Sequence, residues 1–126
     1  MTTDDEVAVL AANQAFYDAH EARDLPAMAA LWDDGDDIVC THPGWAILRG
    51  RDDVLESWAR IFGGPGRNQF IVTNEAVVVA DDVAWVTLDE NLVDRGATGA
   101  IAATNVFRRT DGAWRLVVHH GSPVMG

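Results

Sequence analysis

At 126 residues the chain has the length of one domain, enough to bury about two thirds of its unfolded surface without help from disulfides or metals, and residues 1–126 read as a single unit. Hydrophobic residues make up 48% and charged ones 23%, the proportions of a packed globule and too apolar for a disordered chain. Nine basic residues, all arginine, stand against twenty acidic ones for a net charge of −11, which repels phosphate backbones and anionic lipid and argues against nucleic acid or membrane partners.

Cys40 is the sole thiol and has no internal partner, so a reducing compartment suits the chain. Asp4, Asp5 and Glu6 stand where a secretory leader carries positive charge, and no apolar run approaches the length of a membrane span. The expected location is the cytoplasm.

Thr3 and Glu6 form a capping box, with three acids at the positive end of the helix that follows. This helix is expected from Asp4 to Arg23, with Val9, Ala12, Phe16 and Ala19 as its apolar stripe and Asn13 and His20 at the stripe's edge. Asp24 caps a second helix with Pro26 in its first turn, Met28, Leu31 and Trp32 on one face, and Gly35 as its stop. From Asp37 the period becomes two. Ile38, Cys40 and His42 point one way and Val39 and Thr41 the other, until Pro43-Gly44 ends a short strand. A third helix lies between Gly50 and the Gly63-Gly64-Pro65-Gly66 run, with Val54, Trp58 and Ile61 on its inner face. Residues 69–80, 83–94, 100–109 and 113–121 read as long strands, separated by Asp81-Asp82, by Arg95 to Gly99 and by Asp111-Gly112, and joined antiparallel.

Helices first and strands later define an α+β domain with helices on one face of a sheet. The run Val77-Val78-Val79-Ala80 and the run Val83-Ala84-Trp85-Val86 are apolar in both phases, so the outer sheet face needs cover as well. A twofold homodimer through that face is the simplest cover.

Several residues carry chemistry. His42 shares its face with Ile38 and Cys40 and so projects inward, either as a proton shuttle or as a buried histidine held by a backbone carbonyl. Asn105 shares its face with Ile101, Ala103 and Phe107, as a ligand handle or a structural tie. His120 is in phase with Trp114, Leu116 and Val118, which aims it at the concave side and leaves His119 on the other. Glu90 lies where apolar residues occupy both phases, so its direction stays open between the cavity and a solvated edge. Trp45 and Trp58 are either plain core or an aromatic wall for a flat ligand. Cys40 reads as a small buried hydrophobe, no phosphate-binding glycine loop or serine nucleophile is present, and the histidines lack the spacing of a metal site, so neither metal nor cofactor is expected.

The order helix hairpin, short strand ending in X-Pro, third helix and curved antiparallel sheet resembles the cone-shaped fold of the nuclear-transport-factor-like superfamily, which includes ketosteroid isomerase, scytalone dehydratase and the SnoaL-like polyketide cyclases. The likeness is carried by Ala22-Arg23-Asp24-Leu25 into Leu31-Trp32, by Thr41-His42-Pro43-Gly44, by Thr104-Asn105-Val106-Phe107-Arg108-Arg109, and by Trp114 to His120 with Ser122-Pro123. The last two stretches are most similar to the SnoaL-like branch. The resemblance implies a mixed or antiparallel sheet wrapped around the helices and a deep pocket inside the cone, toward which Phe16 and His20 of the first helix would face. It also sets Phe16 where the isomerase has a tyrosine donor, His42 where it has its carboxylate base, and Asn105 where it has a protonated aspartic acid. All three differ here, and Phe16 has no proton to donate.

Two readings follow from the scaffold. One is a cofactor-independent isomerase, lyase or cyclase acting on a small hydrophobic carbonyl compound, with His42 as acid and base, Asn105 as orienting donor and His120 assisting. The other is a non-catalytic dimeric domain that binds a small hydrophobic molecule or serves an accessory role.

Overall fold

The structure is a computed structural model and describes residues 3–65, 69–94 and 97–125. Of the expected Arg95–Gly99 separator, Arg95 and Gly96 lie outside the described residues, as does Gly66 of the glycine run, whereas residues 97–99 already pair as strand. Three helices, α1 (Asp4–Ala22), α2 (Leu25–Leu31) and α3 (Arg51–Gly63), precede or interleave with β1 (Val39–Thr41) and β2 (Leu48–Arg49), and are followed by β3 (Phe70–Ala80), β4 (Val83–Asp94), β5 (Ala97–Thr110) and β6 (Ala113–Pro123). The six strands form one sheet in the order β2-β1-β6-β5-β4-β3. It is mixed: β1 runs parallel to β6, with Val39 opposite Val118, and every other pairing is antiparallel.

The helix starts follow their caps. Thr3 Oγ1 accepts from the Glu6 amide at 3.1 Å while Glu6 Oε1 accepts from the Thr3 amide at 2.9 Å, and α1 ends where Arg23 turns left-handed at φ 54°. Asp24 Oδ1 accepts from the Ala27 amide at 3.1 Å and starts α2. This helix stops at Leu31, short of the expected glycine, because Trp32 is already extended and bridges to Leu116 of β6. The carbonyls freed at its end are met from a distance: Arg51 donates to Ala29, Trp32 and Asp33 at 3.0–3.1 Å. The two-residue β2, absent from the expected elements, pairs with β1 just before Gly50, the N-cap of α3, whose φ of 89° suits glycine.

The core fills the space between the helices and the concave sheet face. Val9 and Phe16 of α1, Met28 of α2, Trp58 of α3, and Val86, Phe107 and Leu116 of the sheet are completely or almost completely buried in it. Because α1 touches β3, β4 and β6, the sheet curves around that helix without closing. Two irregularities add to the curvature: a bulge between Thr73 and Ala76, with Asn74 at φ 59°, and another in β6 between Leu116 and Val118. No helix among the described residues is long and apolar enough to cross a membrane.

Candidate functional site

A cavity of about 250 Å³ opens between β1, α1, α3 and the inner faces of β3 to β6. Pro43, Trp45, Ile61, Phe70, Leu92 and Ile101 form its apolar wall, and four titratable side chains join them: His20, His42, Glu90 and His119. Pro43 lies close over Gly121, where an added Cβ would be 3.1 Å from Ile101 Cγ2 and 3.3 Å from Pro43 Cγ, so the wall depends on that missing side chain.

His42 follows β1 and keeps the strand's inward phase, 4% exposed. Its ring meets Trp45 at 4.8 Å and Trp58 at 4.6 Å, both edge to face. Its Nε2 is 2.8 Å from Ser57 Oγ, and Ser57 donates its single hydroxyl proton to the Val54 carbonyl at 2.6 Å. Ser57 therefore accepts from His42 Nε2–H, and Nδ1 keeps its lone pair. Burial lowers the His42 pKa to about 4, so the ring is neutral near pH 7. Cys40 is 3.7–3.9 Å from the ring nitrogens, and burial pushes its thiol pKa upward, which keeps it a protonated small hydrophobe.

The inner phase of β4 runs Ala84, Val86, Leu88 and Glu90, all buried. Glu90 thus faces the cavity, where burial raises its pKa to about 7. Tyr17 Oη donates to Glu90 Oε2 at 2.5 Å and accepts from Asn105 Nδ2 at 3.2 Å. The other carboxylate oxygen, Oε1, makes no hydrogen bond among the described residues. Asn105 Nδ2 also donates to Asn13 Oδ1 at 2.8 Å, and Asn105 Oδ1 lies 2.6 Å from His119 Nδ1. Burial lowers the pKa of His119 to about 3 and, at the half-buried His20, to about 4.

The structure gathers some of the expected site residues and separates others. His20, Trp45, His42 and Glu90 line the cavity, with Trp45 at its opening, 38% exposed. Phe16 and Trp58 do not reach it. They lie behind the wall, Phe16 against Trp58 at 5.6 Å and against His119 at 4.8 Å, and support its imidazoles from below. Asn105 is likewise no donor to a guest: it is 0% exposed and its amide hydrogens are committed to Asn13 and Tyr17. His120 points the wrong way for the role assigned to it. It is exposed on the outer sheet face, in a depression shared with Thr87, Asp89, Thr104 and Ser122. The cause is the β6 bulge: Leu116 pairs with Phe107 and Val118 with Val106, leaving Val117 as the extra residue and reversing every later side chain. His119, opposite Asn105 and 3% exposed, is the inward imidazole instead.

Three participants were not anticipated from sequence: His119, Tyr17 and Asn13 as a working part of the network. Tyr17 stands one position from the Phe16 stripe, and its phenol supplies the donor that Phe16 lacks. Among the described residues no group of three or more His, Cys, Asp or Glu side chains is arranged to hold a metal ion.

The SnoaL-like domain family model matches residues 9–126. Among curated proteins, the Arabidopsis thaliana F-box protein SKIP8 is 32% identical over 118 residues, which are 94% of this chain but 50% of that protein, so the chain spans about half the length of this relative. A crystal structure of a candidate dehydratase of the NTF2-like family from Streptomyces avermitilis superposes with a TM-score of 0.90 at 36% identity, covering 100% of both chains. Another, of a candidate calcium/calmodulin-dependent protein kinase type II association domain from Thiobacillus denitrificans, superposes at 0.85 with 41% identity, covering 92% of this chain and 94% of that one. With its three helices, open mixed sheet and family match over nearly its whole length, this chain belongs to the SnoaL-like domain family.

Proposed function

We propose that residues 1–126 form one pocket domain that takes a small, largely hydrophobic carbonyl compound and performs cofactor-independent acid–base chemistry on it, of the isomerase, lyase or cyclase type. The observation that carries this reading is the meeting of Glu90 with neutral imidazoles in a single, mostly apolar cavity of about 250 Å³. A carboxyl group with a pKa of about 7 is half ionised at neutral pH, so Glu90 is available both as the base that takes a proton from an activated carbon and as the acid that returns it. His42, neutral and with its Nδ1 lone pair free of strong partners, is the second proton acceptor. Asn105 acts behind them as a positioning residue. The likeness to a candidate dehydratase supports the same class of chemistry. A twofold partner on the outer sheet face and a cytoplasmic location, in keeping with the lone buried Cys40, belong to this reading.

The test is hydrogen–deuterium exchange at the α-carbon of a panel of small aryl and alkyl ketones, with and without hydroxyl groups, in D₂O, followed by NMR. The protein should accelerate exchange for at least one member, and Glu90→Gln and His42→Asn should each slow it about 10²–10⁴-fold with binding retained. Binding without acceleration overturns the catalytic reading in favour of a non-catalytic binding or accessory domain. That second reading draws on the likeness to half of an F-box protein and to a candidate kinase association domain.

A further inference from the structure

A neutral imidazole carries one donor and one acceptor, and its partners decide which of the two faces a ligand. For His119 that decision begins at the protein surface. Glu75, exposed on β3, accepts from Asn13 Nδ2 at 3.3 Å, which turns Asn13 Oδ1 toward Asn105. Asn105 Nδ2 donates to that oxygen at 2.8 Å and to Tyr17 Oη at 3.2 Å, so the atom it offers His119, 2.6 Å away, is the acceptor Oδ1. His119 must therefore hold its proton on Nδ1, and Nε2 is an unprotonated nitrogen on a residue that lines the cavity. His42 is set the same way by Ser57, whose own proton goes to Val54. Two imidazoles of the cavity thus offer lone pairs, and a carboxylate stands beside them.

From this polarity we infer that the compound bound here carries a hydroxyl group that donates to His119 Nε2, so that the substrate class is a hydroxylated carbonyl compound and not a plain ketone, with Asn105 setting the acceptor. The inference deepens the proposed function and rests on the reading of this cavity as a small-molecule site. A hydroxyl has a proton to give to a fixed lone pair, whereas an ether or a ketone oxygen meets it lone pair to lone pair and leaves both unsatisfied.

A matched pair of probes tests it. 2-Naphthol should bind the wild-type protein at least tenfold more tightly than 2-methoxynaphthalene in calorimetry, and the preference should fall below threefold in Asn105→Leu. Long-range ¹H–¹⁵N correlation of the wild-type protein should find Nδ1 of His119 protonated and Nε2 bare. That readout does not depend on the variant folding, and no merely structural role of Asn105 would move the proton between nitrogens. Equal binding of the two probes, or a proton on Nε2, overturns the inference while leaving the cavity a binding site. Failure of both probes to bind a folded protein overturns the small-molecule reading and this inference with it.

Discussion

Tyr17 Oη lies 2.5 Å from Glu90 Oε2, a bond that ties the middle of α1 to the inner face of β4. The bond acts in opposite directions on its two ends: Glu90 makes the phenol harder to ionise, whereas the phenol's hydrogen bond makes the carboxyl easier to ionise. Burial and the nearby Glu90 charge push the Tyr17 pKa upward, and burial brings Glu90 to about 7 against only partial relief from the phenol. A carboxyl group that costs stability when charged is what an acid–base site needs and what a purely structural hydrogen bond does not.

The cost has a definite sign. Glu90 ionises near 4.5 in the unfolded chain and near 7 in the folded one, so between these values the folded state holds the extra proton. Its contribution to stability is complete below pH 4.5 and falls by about 3 kcal/mol as the pH rises through 7. Glu90→Gln keeps the acceptor for Tyr17 and removes the titration, so the variant should gain on the wild type in urea midpoint between pH 5 and pH 8. A constant difference across that range would mean that Glu90 does not titrate there, against a raised pKa.

The imidazoles carry the opposite sign. Burial lowers His20 and His42 to about 4 and His119 to about 3, against 6.5 when unfolded, so the unfolded chain takes up protons first as the solution is acidified. Stability contributed by these rings is complete above pH 6.5 and is lost as the pH falls toward 4. None of the three rings should take up a proton in an NMR titration from pH 8 to pH 5.5, as read from their ring ¹⁵N shifts. Conversion of any of them to the imidazolium pattern above pH 6 would show that the cavity is more solvated than its geometry implies.

His119 and His120 should differ sharply although they are adjacent. His119→Leu removes the partner of Asn105 Oδ1 and leaves that buried oxygen unsatisfied, a loss of about 2 kcal/mol in denaturant unfolding. His120→Ala changes an exposed side chain and should stay within about 0.5 kcal/mol. Comparable losses would contradict the placement of the β6 bulge.

On the outer sheet face Val78 and Trp85, which pair across β3 and β4, are 44% and 37% exposed. If a second copy covers them, sedimentation should give twice the mass of one chain, and Trp85→Glu should halve it. A wild-type monomer at micromolar concentration would remove the dimer from the proposed function.

Much of the fold was legible because its signals are local. The Thr3–Glu6 box, Asp24 before Pro26, the hairpin turn at Asp111-Gly112 and the alternation through Cys40 and His42 each specify backbone within a few residues, and each element forms at its expected place. Three features depend on distant partners and escaped. Arg51, on another helix, supports the end of α2 at Leu31. Glu90 sits in a strand apolar in both phases, so only the pairing of β4 with β5 decides its face. The bulge at Val117 has no glycine or other local mark, and one unpaired valine moves the second inward imidazole from His120 to His119. Of the candidate site, the strand phase gave His42 its direction, but the choice among His119, Tyr17 and Asn105 is made by contacts between α1, β5 and β6.

The position of β6 between β5 and the parallel β1 imposes an order of assembly on the molecule. The strand beside His42 cannot find its parallel neighbour until β6 has left the ribosome, so during synthesis the helices and the β3–β4 hairpin must wait with their greasy surfaces uncovered. His119 arrives on β6, so the cavity cannot be completed before that strand has paired with β5. Nascent or truncated chains lacking β6 should therefore be the form that chaperones hold.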